Sequence, residues 1–304
     1  MSTAQSVLIK KSIEKVINEQ ITQQQLKEQL LMFVDYQSKQ GFSFGELLVL
    51  HYNQFNGVVT EEIYSVAAAV EMLILSSNML DDFEDEDCMD KPWSTEVPLS
   101  LNATTALLFL SASVIRTTDF KNKDKAISIL IEYALRSING QHKDLLNSSR
   151  NETDYIEMTL EKSGSLVTLA CLIGTVLATD DYPKEIVTYS ELIGLVGQIT
   201  NDLKDITTWN EKNDLLNKKF TLPIIYLLNY PDDDLQFIRD YYNNKSSADE
   251  VIKNQELISR KLVETGAITY TEVIRKMHQN RALNEVKRLP VDQHYIDQLV
   301  KYIH

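Results

Sequence analysis

From one end of the chain to the other, apolar residues recur at spacings of three and four, with very few helix breakers to interrupt them. Nine glycines and six prolines among 304 residues compare with a share of roughly 12% for these two residues in an average globular chain. Steps of three and four place side chains on one face of a helix, and a shortage of breakers leaves few places to turn. The pattern predicts helices near 4–20, 22–38, 44–54, 60–87, 100–116, 123–147, 152–179, 184–209, 220–229, 233–243, 248–265, 267–288 and 291–303. Ser149 with Glu152, and Ser247 with Glu250, have capping-box spacing. Pro183 suits a first helical position. The stretch 88–99, with Pro92, Trp93 and Pro98, reads as a long loop. No linker, composition break or repeat divides the chain. The expectation is an all-α, single-domain helical bundle over 1–304.

A formal net charge of −14 repels phosphate backbones and excludes general nucleic-acid binding. Cys88 and Cys171 form neither a metal-type spacing nor a disulfide framework, which suits a reducing cytoplasm. Met1 to Lys15 contains no apolar signal-peptide core. The most apolar run, Leu166 to Ala178, is 13 residues, shorter than the roughly 20 of a membrane span. It reads as a buried core helix, so no transmembrane segment is expected.

The sharpest local feature is Asp81-Asp82-Phe83-Glu84-Asp85-Glu86-Asp87. Traced backwards in helical steps, Asp85, Asp81, Ser77, Ile74, Val70, Ala67 and Ile63 share one face. That face is apolar from Ile63 to Ile74, so Asp81 and Asp85 continue an inward face. Buried carboxylates need cations, protonation or water, and Mg²⁺ held by one or two carboxylates usually shares its shell with substrate phosphates. The acidic run alone reads equally well as a solvated helix end. A calcium loop beginning at Asp85 would put Met89 on a ligand position and Asp90 where the turn needs glycine.

A second cluster follows in Gln198-Ile199-Thr200-Asn201-Asp202-Leu203-Lys204-Asp205, where Asn201, Asp205, Gln198 and Gly194 share a face. Asn and Asp also mark fraying helix ends. Two such clusters, each closing an apolar helix, are the pattern that facing helices need to enclose an ion. A diphosphate held by metals still needs fixed positive charge. Lys162, in Glu161-Lys162-Ser163-Gly164, and Lys219, in Lys218-Lys219-Phe220-Thr221-Leu222-Pro223, are candidates, although each taken singly reads as a surface residue. Gly140-Gln141-His142-Lys143-Asp144 is a further polar group late in a helix.

In order and spacing these pieces resemble the trans-isoprenyl diphosphate synthases over about residues 60–230. Glu71 and Ser76 through Asp85 resemble the first aspartate-rich motif, and Gly140, Gln141 and Asp144 the GQxxD helix. Lys162-Ser163 resembles the KT pair, and Gln198 to Asp205 the second aspartate-rich motif, with Asn201 in place of its first aspartate. Asp214 and Lys219 to Pro223 resemble the D…KxTLP segment. The departures concern the acceptor. Where the family's extension enzymes carry a basic GKxxRP-like segment, this chain reads Gly41-Phe42-Ser43-Phe44-Gly45-Glu46. Where two arginines follow the first motif, it reads Asp90-Lys91-Pro92. The groups for an allylic donor are kept and most of those for a second diphosphate are not.

The non-standard stretches, among them Phe42-Ser43-Phe44, Leu50-His51-Tyr52, Ile74 to Ser77 and Gly164-Ser165-Leu166, are similar to a branch of the superfamily found in bacilli. That branch prenylates a tryptophan of a small pheromone precursor peptide (ComX-like) in competence and quorum sensing. The resemblance implies a homodimeric enzyme of the isoprenoid-synthase fold with Mg²⁺ as cofactor. Asp81, Asp82, Asp85, Asn201, Asp202 and Asp205 would be its metal ligands and catalytic groups. Lys162, Lys219, Gln198 and Gln141 would contact a geranyl or farnesyl diphosphate. Ser76 and Ser77, where relatives use aromatics to shorten the tail, would leave room for a ten- or fifteen-carbon donor. The indole would attack the allylic cation as a carbon nucleophile, and no side-chain base stands out. A short-chain prenyl diphosphate synthase or terpene cyclase, and a helical interaction protein with decayed metal sites, are the alternative readings.

Overall fold

A computed structural model describes residues 4–85, 90–209 and 213–303. Among them are helices and no strand. In chain order they are α1 (Ala4–Gln20), α2 (Gln24–Ser38), α3 (Ser43–Gln54), α4 (Glu61–Glu84), α5 (Val97–Thr117), α6 (Lys123–Leu145), α7 (Glu152–Thr159) and α8 (Ser165–Ala178). Then come α9 (Lys184–Asp205), α10 (Leu222–Asn229), α11 (Gln236–Tyr242), α12 (Ala248–Lys253), α13 (Gln255–Glu264), α14 (Ala267–Val286) and α15 (Gln293–Leu299). A π-helical turn, Leu160–Gly164, joins α7 to α8 without a break. The periodic segments of the sequence are recovered nearly one for one. The segment expected at 248–265 is two helices. The Asn254 amide donates back to the Glu250 carbonyl at 2.8 Å, a local bond that competes with helix propagation. The N-cap of α7 is Asn151, which accepts from the Asp154 amide at 3.0 Å, in place of the expected Ser149.

The chain forms two compact units. The first comprises Met1–Arg136, Ser165–Val187 and Leu289–Gln298; the second comprises Ser137–Gly164, Thr188–Arg288 and Leu299–His304. At the centre of the first unit, α4 is buried on all sides from Val66 to Ser76, as a helix that is apolar all round must be. The single inward face expected from Ile63 to Ile74 is therefore part of a wider buried surface. Helices α3 and α8 meet backbone to backbone, since a Cβ on Gly174 would lie 2.2 Å from the Leu48 carbonyl oxygen. In the second unit a separate core gathers Ile206, Leu215, Ile224, Leu235, Ile238 and Leu262.

Among the described residues three helices are long and apolar enough to cross a membrane: α4, α5 and the continuous Glu152–Ala178 rod. The 13-residue apolar run is embedded in this rod, which matches the helix expected over 152–179. In α4 and the rod, 72% of the apolar window is buried within the protein; in α5 it is 44%.

Helix α3 starts without a side-chain cap of its own, leaving early backbone N–H groups to be satisfied from elsewhere. Glu71 of α4 supplies the acceptor, taking the Gly45 amide at 2.6 Å and the Phe44 amide. Burial pushes the Glu71 carboxyl up to about 8, with the two amide bonds opposing it. Between its ordinary value and about pH 8 the folded chain holds a proton that the unfolded chain has released. Stability therefore falls as pH rises through that window. The expected loss is about 2–4 kcal/mol between pH 5 and pH 8, absent in Glu71→Gln. Denaturant unfolding of both proteins at the two pH values measures it, and parallel pH dependences would remove Glu71 as the source.

Candidate active site

The second unit assembles most of the polar residues picked out by the sequence, and three glycines make this possible. A Cβ on Gly140 of α6 would fall 2.3 Å from the Lys162 amide nitrogen, and one on Gly194 of α9 would fall 2.6 Å from the Gly164 Cα. The end of α6 and the middle of α9 therefore both lie directly on the π turn. Such turns shift the register of the side chains after them and are common at functional sites. The Ser137 hydroxyl donates to the Lys162 carbonyl at 2.7 Å, and Lys162 itself points to Asp144, Nζ to Oδ2, at 2.8 Å. The Lys219 Nζ lies 3.8 Å from the same oxygen. Asp144 of the GQxxD group thus gathers both predicted lysines, and Gln141 lies on the same helical segment.

The second acidic cluster is anchored from the other side. Asp202 is 3% exposed, while Asn201 is on the outer surface and Asp205 is partly buried. The Gln198 amide donates to Asp202 Oδ1 at 2.9 Å and accepts from the Ser163 hydroxyl at 3.1 Å. Gln198 therefore shares its face with Asp202 rather than with Asn201, and its contact orients a carboxylate. Asp202 Oδ2 accepts from the Tyr155 hydroxyl of α7, a partner the sequence reading missed because a tyrosine in an apolar stretch looks like core. Asn213, fully buried, staples the chain after α9. Its amide donates to the Asp205, Ile206 and Thr208 carbonyls, and its oxygen accepts from the Leu215 and Leu216 amides. That staple presents Asp214, whose Oδ2 is buried without a hydrogen-bond partner. Lys219 is fixed by a bond from its amide to the Asp214 carbonyl and by the Tyr242 hydroxyl on its own carbonyl.

Burial raises the Asp202 carboxyl above its ordinary range, and burial with the neighbouring Asp202 and Asp205 charges raises Asp214. Partly desolvated carboxylates with an orphaned oxygen are a hard-cation donor set, and the residues fit Mg²⁺. Among the described residues no three carboxylates converge on one point, so such an ion would complete its shell with phosphate oxygens and water, as Mg²⁺ normally does.

The first acidic cluster lies in the first unit at the end of α4. Asp81 and Asp85 are half-buried. Both oxygens of Asp82 are taken: Oδ1 by Lys91 and Oδ2 by the Trp93 indole N–H at 2.9 Å. Trp93 is 2% exposed and packs edge-on against Phe33 and Tyr36, with centroids at 5.7 and 5.3 Å. The segment read as a loop is therefore pinned to α4. Burial raises the Asp82 carboxyl and Lys91 opposes the rise. Ser76 is fully buried and Ser77 partly so; both hydroxyls donate to the Leu73 carbonyl, at 2.7 and 3.0 Å. Glu86, Asp87, Cys88 and Met89 lie outside the described residues.

An all-helical chain that pairs buried carboxylates with lysines beside a π turn offers the kind of charge that a phosphorylated substrate requires. The polyprenyl synthetase family matches residues 27–258, and the chain belongs to that family of prenyltransferases. The tryptophan prenyltransferase ComQ of Bacillus subtilis subsp. natto is 36% identical over 289 residues, covering 95% of this chain and 89% of that protein. ComQ of Bacillus spizizenii is 29% identical, covering 92% and 99%. The crystal structure of a polyprenyl synthetase from Streptomyces coelicolor matches with a TM-score of 0.82 at 18% identity, covering 98% of this chain and 96% of that one, a likeness of fold.

The glycine contacts predict a contrast. Gly140→Ala forces the α6 backbone off the π turn and should destabilise the chain by about 1–3 kcal/mol. Gly197 on α9 has open space around its would-be Cβ, so Gly197→Ala should stabilise by about 0.5–1 kcal/mol. Thermal unfolding of the two variants without substrate reads both signs.

Proposed function

We propose that this chain transfers a geranyl or farnesyl group from its diphosphate to a tryptophan of a small, pheromone-like precursor peptide. The observation that carries the reading is how little the chain offers a second diphosphate. The α3 start, where extension enzymes of the family hold basic residues, presents Ser43, Phe44, Gly45 and Glu46. Glu46 accepts from the Ser6 hydroxyl, and Lys91 after the first motif is engaged by Asp82. An acceptor without a diphosphate fits these surroundings, and the likeness to the tryptophan prenyltransferases ComQ supports tryptophan as that acceptor.

Both acidic clusters are assigned to one allylic diphosphate by the order of their motifs along the chain. Asp81, Asp85, Asp202 and Asp205 would hold Mg²⁺. Asp82 joins them only by exchanging Lys91, and Asn201 by turning inward. The metal, when bound, supplies positive charge to the leaving diphosphate. Lys162 and Lys219 supply fixed charge of the same sign at the same group, Asp144 keeps them converged, and Tyr155 with Gln198 holds Asp202 in one orientation. Apolar surroundings keep water from the allylic cation. The indole carbon forms the new bond as the C–O bond to diphosphate breaks, and the departing diphosphate accepts the indole proton.

Each unit is made of three separate stretches of sequence, which supports a single domain. Apolar residues exposed on α5, Leu101 and Phe109, and on α6, Ile131, Leu135 and Ile138, support a homodimer.

The test is mass spectrometry of a tryptophan-containing precursor peptide after incubation with geranyl and farnesyl diphosphates. The expected product carries one prenyl group on tryptophan. Efficient elongation of isopentenyl diphosphate with an unmodified peptide would contradict the reading. Asp81→Ala and Asp202→Asn should each lower turnover by at least about a hundredfold with helical content unchanged. Replacing Ser77 with Phe should move preference toward the shorter donor, and an unchanged ranking of dimethylallyl, geranyl and farnesyl diphosphates would place the tail elsewhere.

A further inference from the structure

A cavity of about 320 Å³ opens in the second unit among the start of α7, α10 and α14. Its walls are aromatic. The Tyr226 ring lies 4.8 Å from that of Tyr270, tilted by 33°, and 6.0 Å from that of Tyr230, tilted by 30°. Two of the rings are fixed through their hydroxyls: Tyr226 donates to the Thr265 carbonyl at 3.1 Å, and Tyr270 donates to the Glu152 carboxylate. Ile225 adds an apolar wall, and Asn229 stands exposed at the rim. None of the residues assigned to the diphosphate lines this cavity.

Its place in the fold connects it to the reaction. Glu152 lies three residues before Tyr155 on α7, about 4.5 Å of helical rise, and Tyr155 bonds to Asp202. Leu222 of the cavity follows Lys219 by three residues. Successive turns of one helix therefore serve the cavity and the carboxylate cluster.

The charge around it selects among occupants. Glu152 stands in the wall, and Asp232-Asp233-Asp234 follows directly on the lining residue Pro231. Lys261 answers Asp232 and Asp234, and Arg239 is spent on the Tyr230 and Asp232 carbonyls. With Asp232 and Asp234 answered, Glu152 is the carboxylate in the wall, and it disfavours an anion and serves no purpose for a prenyl tail. Tyrosine faces beside an acidic group suit an ammonium or guanidinium carried on an apolar stem.

We propose that this cavity docks a lysine- or arginine-bearing stretch of the acceptor peptide, flanking the tryptophan that is alkylated. The proposal rests on the peptide-acceptor reading above. It gives the enzyme a way to choose its peptide at a place separate from the bond-forming atoms.

Two short synthetic peptides test it, one with lysines flanking a single tryptophan and one with glutamates in their place. Each is titrated calorimetrically into the full chain holding Mg²⁺ and an unreactive thio-analogue of farnesyl diphosphate. The lysine peptide should bind at least about tenfold more tightly than its twin. Glu152→Gln and Asn229→Trp should each remove most of that preference while binding the donor analogue as the unmodified chain does, which shows that they are folded. Equal binding of the two peptides by the unmodified chain overturns the proposal, as does a preference that survives both substitutions. Charge-selective binding that the variants abolish, with no prenyl group transferred from either geranyl or farnesyl diphosphate, supports the docking site and contradicts the peptide-acceptor reading. A prenylated tryptophan with no charge preference does the reverse.

Discussion

Carboxylates gathered out of water must be answered by positive charge, and the second unit is organised around that requirement. Asp144, Asp202 and Asp214 lie in one electrostatic neighbourhood with Lys162 and Lys219. Asp144 takes both lysines, Asp202 takes a tyrosine and a glutamine, and Asp214 keeps an oxygen with no hydrogen-bond partner. Carboxylates outnumber the lysines, and burial raises Asp202 and Asp214 above the ordinary carboxylate range, a rise that a bound cation would oppose. Such a cluster is a poor way to stabilise a fold, and the proposed Mg²⁺ would carry the missing positive charge.

The arrangement is held by backbone rather than by long side chains. Gly140 and Gly194 let two helices touch the π turn at distances that a methyl group would forbid, and that turn sets the direction of Lys162. Asn213 uses its whole hydrogen-bonding capacity to close the segment that carries Asp214 and leads to Lys219. The charged groups are therefore fixed before substrate binds, which is what electrostatic catalysis requires. In the first unit Trp93 and Lys91 do comparable work for Asp82, and Lys91 belongs to the stretch that resembles the one where extension enzymes of the family carry arginines.

Most of the helices were legible from apolar spacing because nothing in the sequence competes with it. The misses have local causes. The 248–265 segment divides at Asn254, whose side chain offers the backbone another partner. The face drawn through Ile63, Val70 and Ile74 was real but too narrow, since periodicity cannot see that a helix is buried all round. At the site, residue types and order pointed to Asp81, Asp202, Lys162 and Lys219. Which of Asn201 and Asp202 turns inward depends on the pitch of α9 against the π turn, and no pattern of residues encodes that. Tyr155 and Asn213 were invisible because their role is to hold another residue, and the sequence signals only the residue that is held. The π turn itself left one trace, the glycine of Lys162-Ser163-Gly164.

The central claim is that these carboxylates and lysines form a diphosphate site completed by a divalent ion. The most direct test is calorimetric titration of a non-hydrolysable allylic thiolodiphosphate into the purified chain, with Mg²⁺ and then with a chelator. Tight binding with Mg²⁺, lost by at least about a hundredfold on chelation and weakened in Asp202→Asn, is the predicted result. Equal affinity with and without the metal, unaffected by Asp202→Asn, would contradict it.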